Sequence, residues 1–132
     1  MTAPELETHL ANFYGTEGYH RLVPFVPNLV FTDGAKALAV GGGAFWLMEA
    51  IASHQNRAMR DESLRGFQFW KLRVNDDRSA VLTCERDEGD VAITQEIPAT
   101  DFPLKEAKVW VVSGGEGPDG EAFMVGMLPS EY

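Results

Sequence analysis

At Phe67 the spacing of apolar side chains changes from about 3.6 residues to 2, and this change constrains the fold more than any other feature of the chain. Alternation over Phe67 to Val74 places Gln68, Trp70, Leu72 and Val74 on one face of a strand. If Asp76, Asp77 and Arg78 form a three-residue loop, the strand that follows sets Leu82 against Leu72 and Cys84 against Trp70, with Thr83 against Lys71 and Glu85 against Phe69. A two-residue loop would set Lys71 against Leu82 and turn both leucines outward, so the longer loop is preferred. Asp87-Glu88-Gly89-Asp90 predicts a second tight turn, with Val91, Ile93 and Ile97 continuing the apolar face until Pro98 stops the strand. Ala107 to Ser113 and Ala122 to Leu128 supply further strands around a Gly114 to Gly120 loop.

Ahead of this meander the period is helical. Thr2, Pro4 and Glu5 carry the signals of a capped N-terminus, Leu6, Leu10 and Phe13 share a face, and Gly15 is the expected stop. Residues 16 to 27, with Pro24 and Pro27, read as an irregular connection, and Leu29 to Thr32 as a strand. Asp33-Gly34 is a turn signal, while Ala35 to Val40 fits either period. After Gly41-Gly42-Gly43, the stripe Ala44, Leu47, Met48, Ile51 and Gln55 defines the central helix, with Phe45 and Trp46 flanking it and its first turn embedded. The expected architecture is α+β: an antiparallel sheet of about five or six strands packed on a central helix, with a short N-terminal helix.

The chain has 132 residues, 45% of them hydrophobic, which suits a single α+β domain over residues 1–132. The longest apolar run, Ala44 to Met48, is far short of a membrane span, and Glu5 and Glu7 stand where a secretory signal carries positive charge. The expectation is a cytoplasmic protein with no membrane partner. Cys84 is the sole cysteine, so neither an internal disulfide nor a multi-cysteine metal cage braces the fold. Paired with Trp70 on the core face, it reads as a small hydrophobe and not as a nucleophile.

Chemistry-bearing patterns are sparse. The triple glycine lacks the lysine and Ser/Thr of a phosphate loop and the spacing of a dinucleotide fingerprint. His9, His20 and His54 include no His-x-x-x-His pair, and Glu49 and His54 lie about 140° apart on a helix, so no metal and no cofactor is implied. Thr32-Asp33 and Thr100-Asp101 both fall at strand ends. Brought together, Asp33 and Asp101, with His20, would form a pocket in which two carboxyl groups divide acid and base roles; held apart, each shapes a turn. The tryptophans at 46, 70 and 110, with Phe67 and Phe69, invite a base-stacking reading, but such platforms need clustered cations. Only Arg57 to Arg73, with five basic and two acidic residues, offers any, so no direct nucleic-acid binding is expected.

Charge is the unusual feature. Residues 1–73 hold seven basic and seven acidic side chains; residues 74–132 hold four and thirteen, so the whole net charge of −9 belongs to the later part. Asp76, Asp77, Glu85, Asp87, Glu88 and Asp90 are the candidate acidic docking face for a basic partner, including one that ordinarily holds nucleic acid, because fixed carboxylates can stand in for spaced phosphates. The plainer reading is a solvated surface that keeps the protein soluble.

Five stretches together resemble a family: Phe31-Thr32-Asp33-Gly34; Phe45-Trp46-Leu47 with Ala50-Ile51-Ala52-Ser53; Phe67-Gln68-Phe69-Trp70-Lys71-Leu72; Thr100-Asp101-Phe102-Pro103-Leu104; and Leu128-Pro129-Ser130-Glu131-Tyr132. It is an uncharacterised family of small prokaryotic single-domain proteins, often carried on plasmids and phages. The resemblance implies an accessory product of a mobile element and no assigned activity. The reading favoured by charge is a non-enzymatic protein-binding module. The alternatives are a ligand-binding or hydrolytic domain using Asp33 and Asp101 beside the core helix, and a homo-oligomer formed through an uncovered sheet face bearing Phe67 and Phe69.

Overall fold

The computed structural model describes residues 2–117 and 120–132. Helix α1 (Ala3–Leu10) begins as the sequence predicts: the Thr2 hydroxyl accepts the Glu5 N–H, and the Glu5 carboxylate reaches back in a capping box. The helix stops at Leu10, well before Gly15, with Ala11 closing it. Strands β1 (Tyr19–His20) and β2 (Leu29–Thr32) follow, then helices α2 (Asp33–Gly41), α3 (Phe45–Ser53), α4 (Gln55–Ala58) and α5 (Glu62–Arg65). The remaining strands are β3 (Phe67–Val74), β4 (Ala80–Asp87), β5 (Asp90–Ile97), β6 (Glu106–Glu116) and β7 (Ala122–Met127), before a 3-10 turn at Pro129–Glu131.

The hairpin register is the predicted one. Leu72 pairs with Leu82, Trp70 with Cys84, Lys71 with Thr83 and Phe69 with Glu85. Arg78 completes the turn at φ 70, and its guanidinium donates to the carbonyls of Thr100 (3.1 Å) and Phe102 (2.6 Å), which ties the turn to the segment after β5. The expected five or six antiparallel strands become seven in a mixed sheet of order β1-β2-β7-β6-β3-β4-β5. Pairing of β2 with β7 is parallel, and the short β1 inside the expected irregular connection adds an edge. Two residues of strand ahead of Pro24 carry no periodicity to read. The predicted Gly114 to Gly120 loop is shorter than expected, since β6 runs on to Glu116; Pro118 and Asp119 lie outside the described residues.

Three further readings change. Asp33-Gly34 opens a helix, because the Thr32 hydroxyl caps α2 by accepting the Ala35 N–H at 3.2 Å and the alanine-rich run behind it favours helix. Val91 leaves the apolar face: bulges set Ile93 opposite Cys84 but Val91 opposite Glu85, and Val91 is 46% exposed. Phe45 is 43% exposed, so the first turn of α3 is not embedded all round.

One continuous core joins Leu6, Phe31, Leu38, Leu47, Met48 and Ile51 to the inward-facing residues Trp70, Leu72, Leu82, Cys84, Val109 and Val111. The helices therefore cover one face of the sheet. On the other face Phe67, Phe69 and Lys71 of β3 are half-buried and Arg73 is exposed.

Candidate functional site

The first candidate group divides. His20 Nε2 stands 2.7 Å from Asp33 Oδ1, and Asp33 Oδ2 accepts the Glu17 N–H at 3.0 Å. The hydrogen bond from His20, reinforced by the Glu17 N–H, holds the Asp33 carboxyl below the usual aspartate range. The Asp33 backbone N–H in turn donates to the Thr16 hydroxyl at 2.9 Å. This network fastens the β1 edge to the N-terminus of α2. Asp101 is elsewhere: it lines a shallow surface depression with Trp46, Ile97 and Thr100. A Cβ placed on Gly42 would come within 2.8 Å of the Phe102 ring, so the 101–102 segment abuts the C-terminal end of α2. A nine-residue helix, about 13 Å long, separates the two aspartates, and the depression that Asp101 lines does not include Asp33.

Asp33 has a close neighbour that sequence reasoning missed. The Glu131 carboxylate accepts the Thr32 hydroxyl (2.6 Å), the Gly34 N–H (3.0 Å) and the Leu128 N–H (2.9 Å). A Cβ on Gly34 would stand 2.3 Å from Glu131 Oε1, so only glycine admits this approach. Partners nearly a hundred residues apart leave no local signal in the chain.

The acidic candidates also divide. Asp76 and Asp77 lie in the β3–β4 turn, whereas Glu85, Asp87, Glu88 and Asp90 lie at the opposite end of β4, an eight-residue strand that spans about 24 Å. The six do not form one field. Asp77 stays exposed and accepts from the Ser79 N–H and hydroxyl, which lowers its pKa. Asp90 pairs with Arg86 at 3.3 Å. Glu85 and Glu88 have no cationic partner among the described residues.

Those two carboxylates border the arrangement most suited to binding. On the face of the sheet left open by the helices, Trp110 of β6 pairs with Phe69 of β3, which pairs with Glu85 of β4; two residues along, Lys108, Lys71 and Thr83 line up in the same way. The Phe67 and Phe69 rings stack at 4.5 Å, and Trp110 meets both edge-on at 5.5 and 5.3 Å. Tyr132 adds edge contacts to Phe67 and Trp110 while remaining 75% exposed. Beside these rings is an open cleft of about 250 Å³, floored by Phe69 and Trp110, with Glu85, Asp87 and Glu88 at one end and Lys71 and Lys108 at the other. Lys108 is 3.7 Å from Glu106, which also attracts Arg73 at 3.8 Å. Sequence reasoning singled out Phe67 and Phe69 but grouped three tryptophans that the fold separates: Trp70 is in the core, Trp46 lies beside Asp101, and only Trp110 joins the open face.

The remaining candidates carry less. Cys84 is fully buried, and burial pushes its thiol up to about 12, which leaves no thiolate to attack anything at neutral pH. His54 stacks on Trp70 at 5.6 Å and meets Gln95 Oε1 at 2.7 Å. Among the described residues, no three His, Cys, Asp or Glu side chains gather as they would around a metal ion, and no helix is long and apolar enough to cross a membrane.

A helix-backed mixed sheet of seven strands, with an aromatic face and a charged open cleft on the side away from the helices, defines a small α+β domain. The chain belongs to the Family of unknown function (DUF6876), whose model matches residues 4–132. No curated protein and no solved structure matches it.

Proposed function

We propose that the chain is a non-enzymatic binding module whose open sheet face docks a basic protein partner, with an arginine or lysine of that partner lying over Phe69 and Trp110 and reaching Glu85 and Glu88. The observation that carries this reading is the pairing of half-buried aromatic rings that floor an open cleft with carboxylates that have no cation of their own among the described residues. A cation over an aromatic face gains about 0.5–2 kcal/mol, more where water is excluded, and the adjoining carboxylates add a charge-assisted hydrogen bond. Lys71 and Lys108 repel a cation from the far end, which gives the cleft a direction. The net charge of −9 assists encounter with a basic surface. An accessory role on a mobile element, as the resemblance implies, gives such a module a host or element-encoded basic protein as its partner.

Calorimetric titration with a synthetic alternating Arg-Gly peptide tests this. Binding is expected to weaken as salt is raised. It should also fall in Glu85→Gln/Glu88→Gln, disappear in Trp110→Ala checked for intact thermal unfolding, and be absent for a Gln-Gly peptide. Binding indifferent to salt and to both variants would overturn the reading. Sedimentation of the chain alone addresses the competing occupant: concentration-dependent dimers lost in Trp110→Ala would assign the face to a second copy.

A further inference from the structure

We propose that a second cleft, on the helix-covered side of the sheet between α4, α5 and the β4–β5 hairpin, binds a phosphate-type oxyanion through Arg57, Arg60 and Arg86. The open cleft measures about 540 Å³, and all three arginines line it. Arg86 is the fixed member. Its Nε donates to Ser63 Oγ at 2.8 Å, Nη2 to Asp61 at 2.9 Å and Nη1 to Asp90 at 3.3 Å. A guanidinium has five N–H donors, so two remain for a ligand.

Arg57 and Arg60 differ from it in having no carboxylate partner among the described residues. In a chain with 20 acidic and 11 basic side chains, two arginines three residues apart and without a carboxylate partner among the described residues run against the composition. Arg57 lies in the last turn of α4 and Arg60 in the turn just beyond it, where the Arg60 N–H donates to the Arg57 carbonyl at 3.2 Å, so both like charges enter the same cleft and an anion bound there would offset them. Of the acidic groups that also line the cleft, Asp61 is already engaged by Arg86 and by the Ser63 N–H and hydroxyl, and Glu62 is exposed at the rim. Three guanidinium forks call for a ligand with several oxygens in a tetrahedral array, which a phosphoryl group supplies and a single carboxylate does not. The volume admits that group together with whatever carries it. This inference is independent of the open sheet face and of any partner bound there.

The test is calorimetric titration at low ionic strength with inorganic phosphate and, separately, with adenosine monophosphate, on the wild-type chain, Arg57→Gln/Arg60→Gln and a control, Lys36→Gln/Lys105→Gln, which removes two exposed cations elsewhere. Saturable binding by the wild type, weakened about tenfold or more in the arginine variant and changed by less than about twofold in the control, supports the site. Tighter binding of the nucleotide than of free phosphate assigns the group to a nucleotide carrier; equal binding assigns it to the phosphate itself. No saturable binding of either probe, an unchanged arginine variant, or an equal loss in the control would overturn the proposal. Arg57 and Arg60 are exposed, so their replacement leaves the core intact.

Discussion

Gln55 and Gln68 exchange amide hydrogen bonds of 2.9 and 3.0 Å inside an otherwise apolar core. Gln68 Oε1 also accepts the Trp70 indole N–H at 2.8 Å, and Gln68 Nε2 donates to the Leu64 carbonyl at 3.2 Å. Nothing in this network is left unsatisfied, which is the condition under which buried amides stabilise a fold. Gln68→Leu strands the Trp70 N–H and one face of the Gln55 amide, and should cost about 3 kcal/mol in urea unfolding. Gln55→Leu/Gln68→Leu should cost less than the sum of the two single changes, because each removes the other's partner. A loss below about 1 kcal/mol for Gln68→Leu would show that water substitutes freely there. Both residues were legible as core positions, Gln55 from the helical stripe and Gln68 from strand alternation; their mutual bonding was not, because it depends on how helix and sheet meet.

Among the elements, α2 shows where local reading fails. Ala35 to Val40 is too short and too uniformly small for its period to be resolved, and the decisive cap, Thr32, is itself held by Glu131 from the far end of the chain. Glu131→Ala removes three hydrogen bonds at once and should destabilise the fold by about 2 kcal/mol, as read from the thermal midpoint and urea denaturation. Gly34→Ala acts on the same contact from the other side by displacing the carboxylate. The double variant should therefore fall well short of additivity, and full additivity would refute a shared contact. The β3–β4 hairpin was read correctly to the residue because a single constraint, both leucines inward, selects its register. The parallel β2–β7 pair had no comparable marker.

Across the whole molecule, acidic residues engaged by local donors set the response to pH. Asp33, Asp61 and Asp77 are all held below the usual range, led by hydrogen bonds from His20, Ser63 and Ser79 respectively. Each binds its proton more weakly in the folded state than in the unfolded chain, where aspartate titrates near about 3.9. Their contribution to stability is therefore complete above about pH 5 and is lost as pH falls through the lower folded values. The urea midpoint should drop on acidification, and Asp33→Asn should drop less steeply than the wild type below pH 5; parallel curves would contradict the role given to His20. The sign and extent of the charge were legible from composition, but its division between two ends of β4, and the placing of Arg57, Arg60 and Arg86 in one cleft and of Glu85 and Glu88 in another, required the fold.

The position of β7, third of seven strands although last in the chain, bears on how the protein is made. Until β7 is in place the chain holds two sheet fragments, β1-β2 and β6-β3-β4-β5, with no strand to join them and an unsatisfied edge on each. Closure of the central sheet therefore falls to Ala122–Met127, and a chain cut short before them would be left with two open edges able to pair with neighbouring chains.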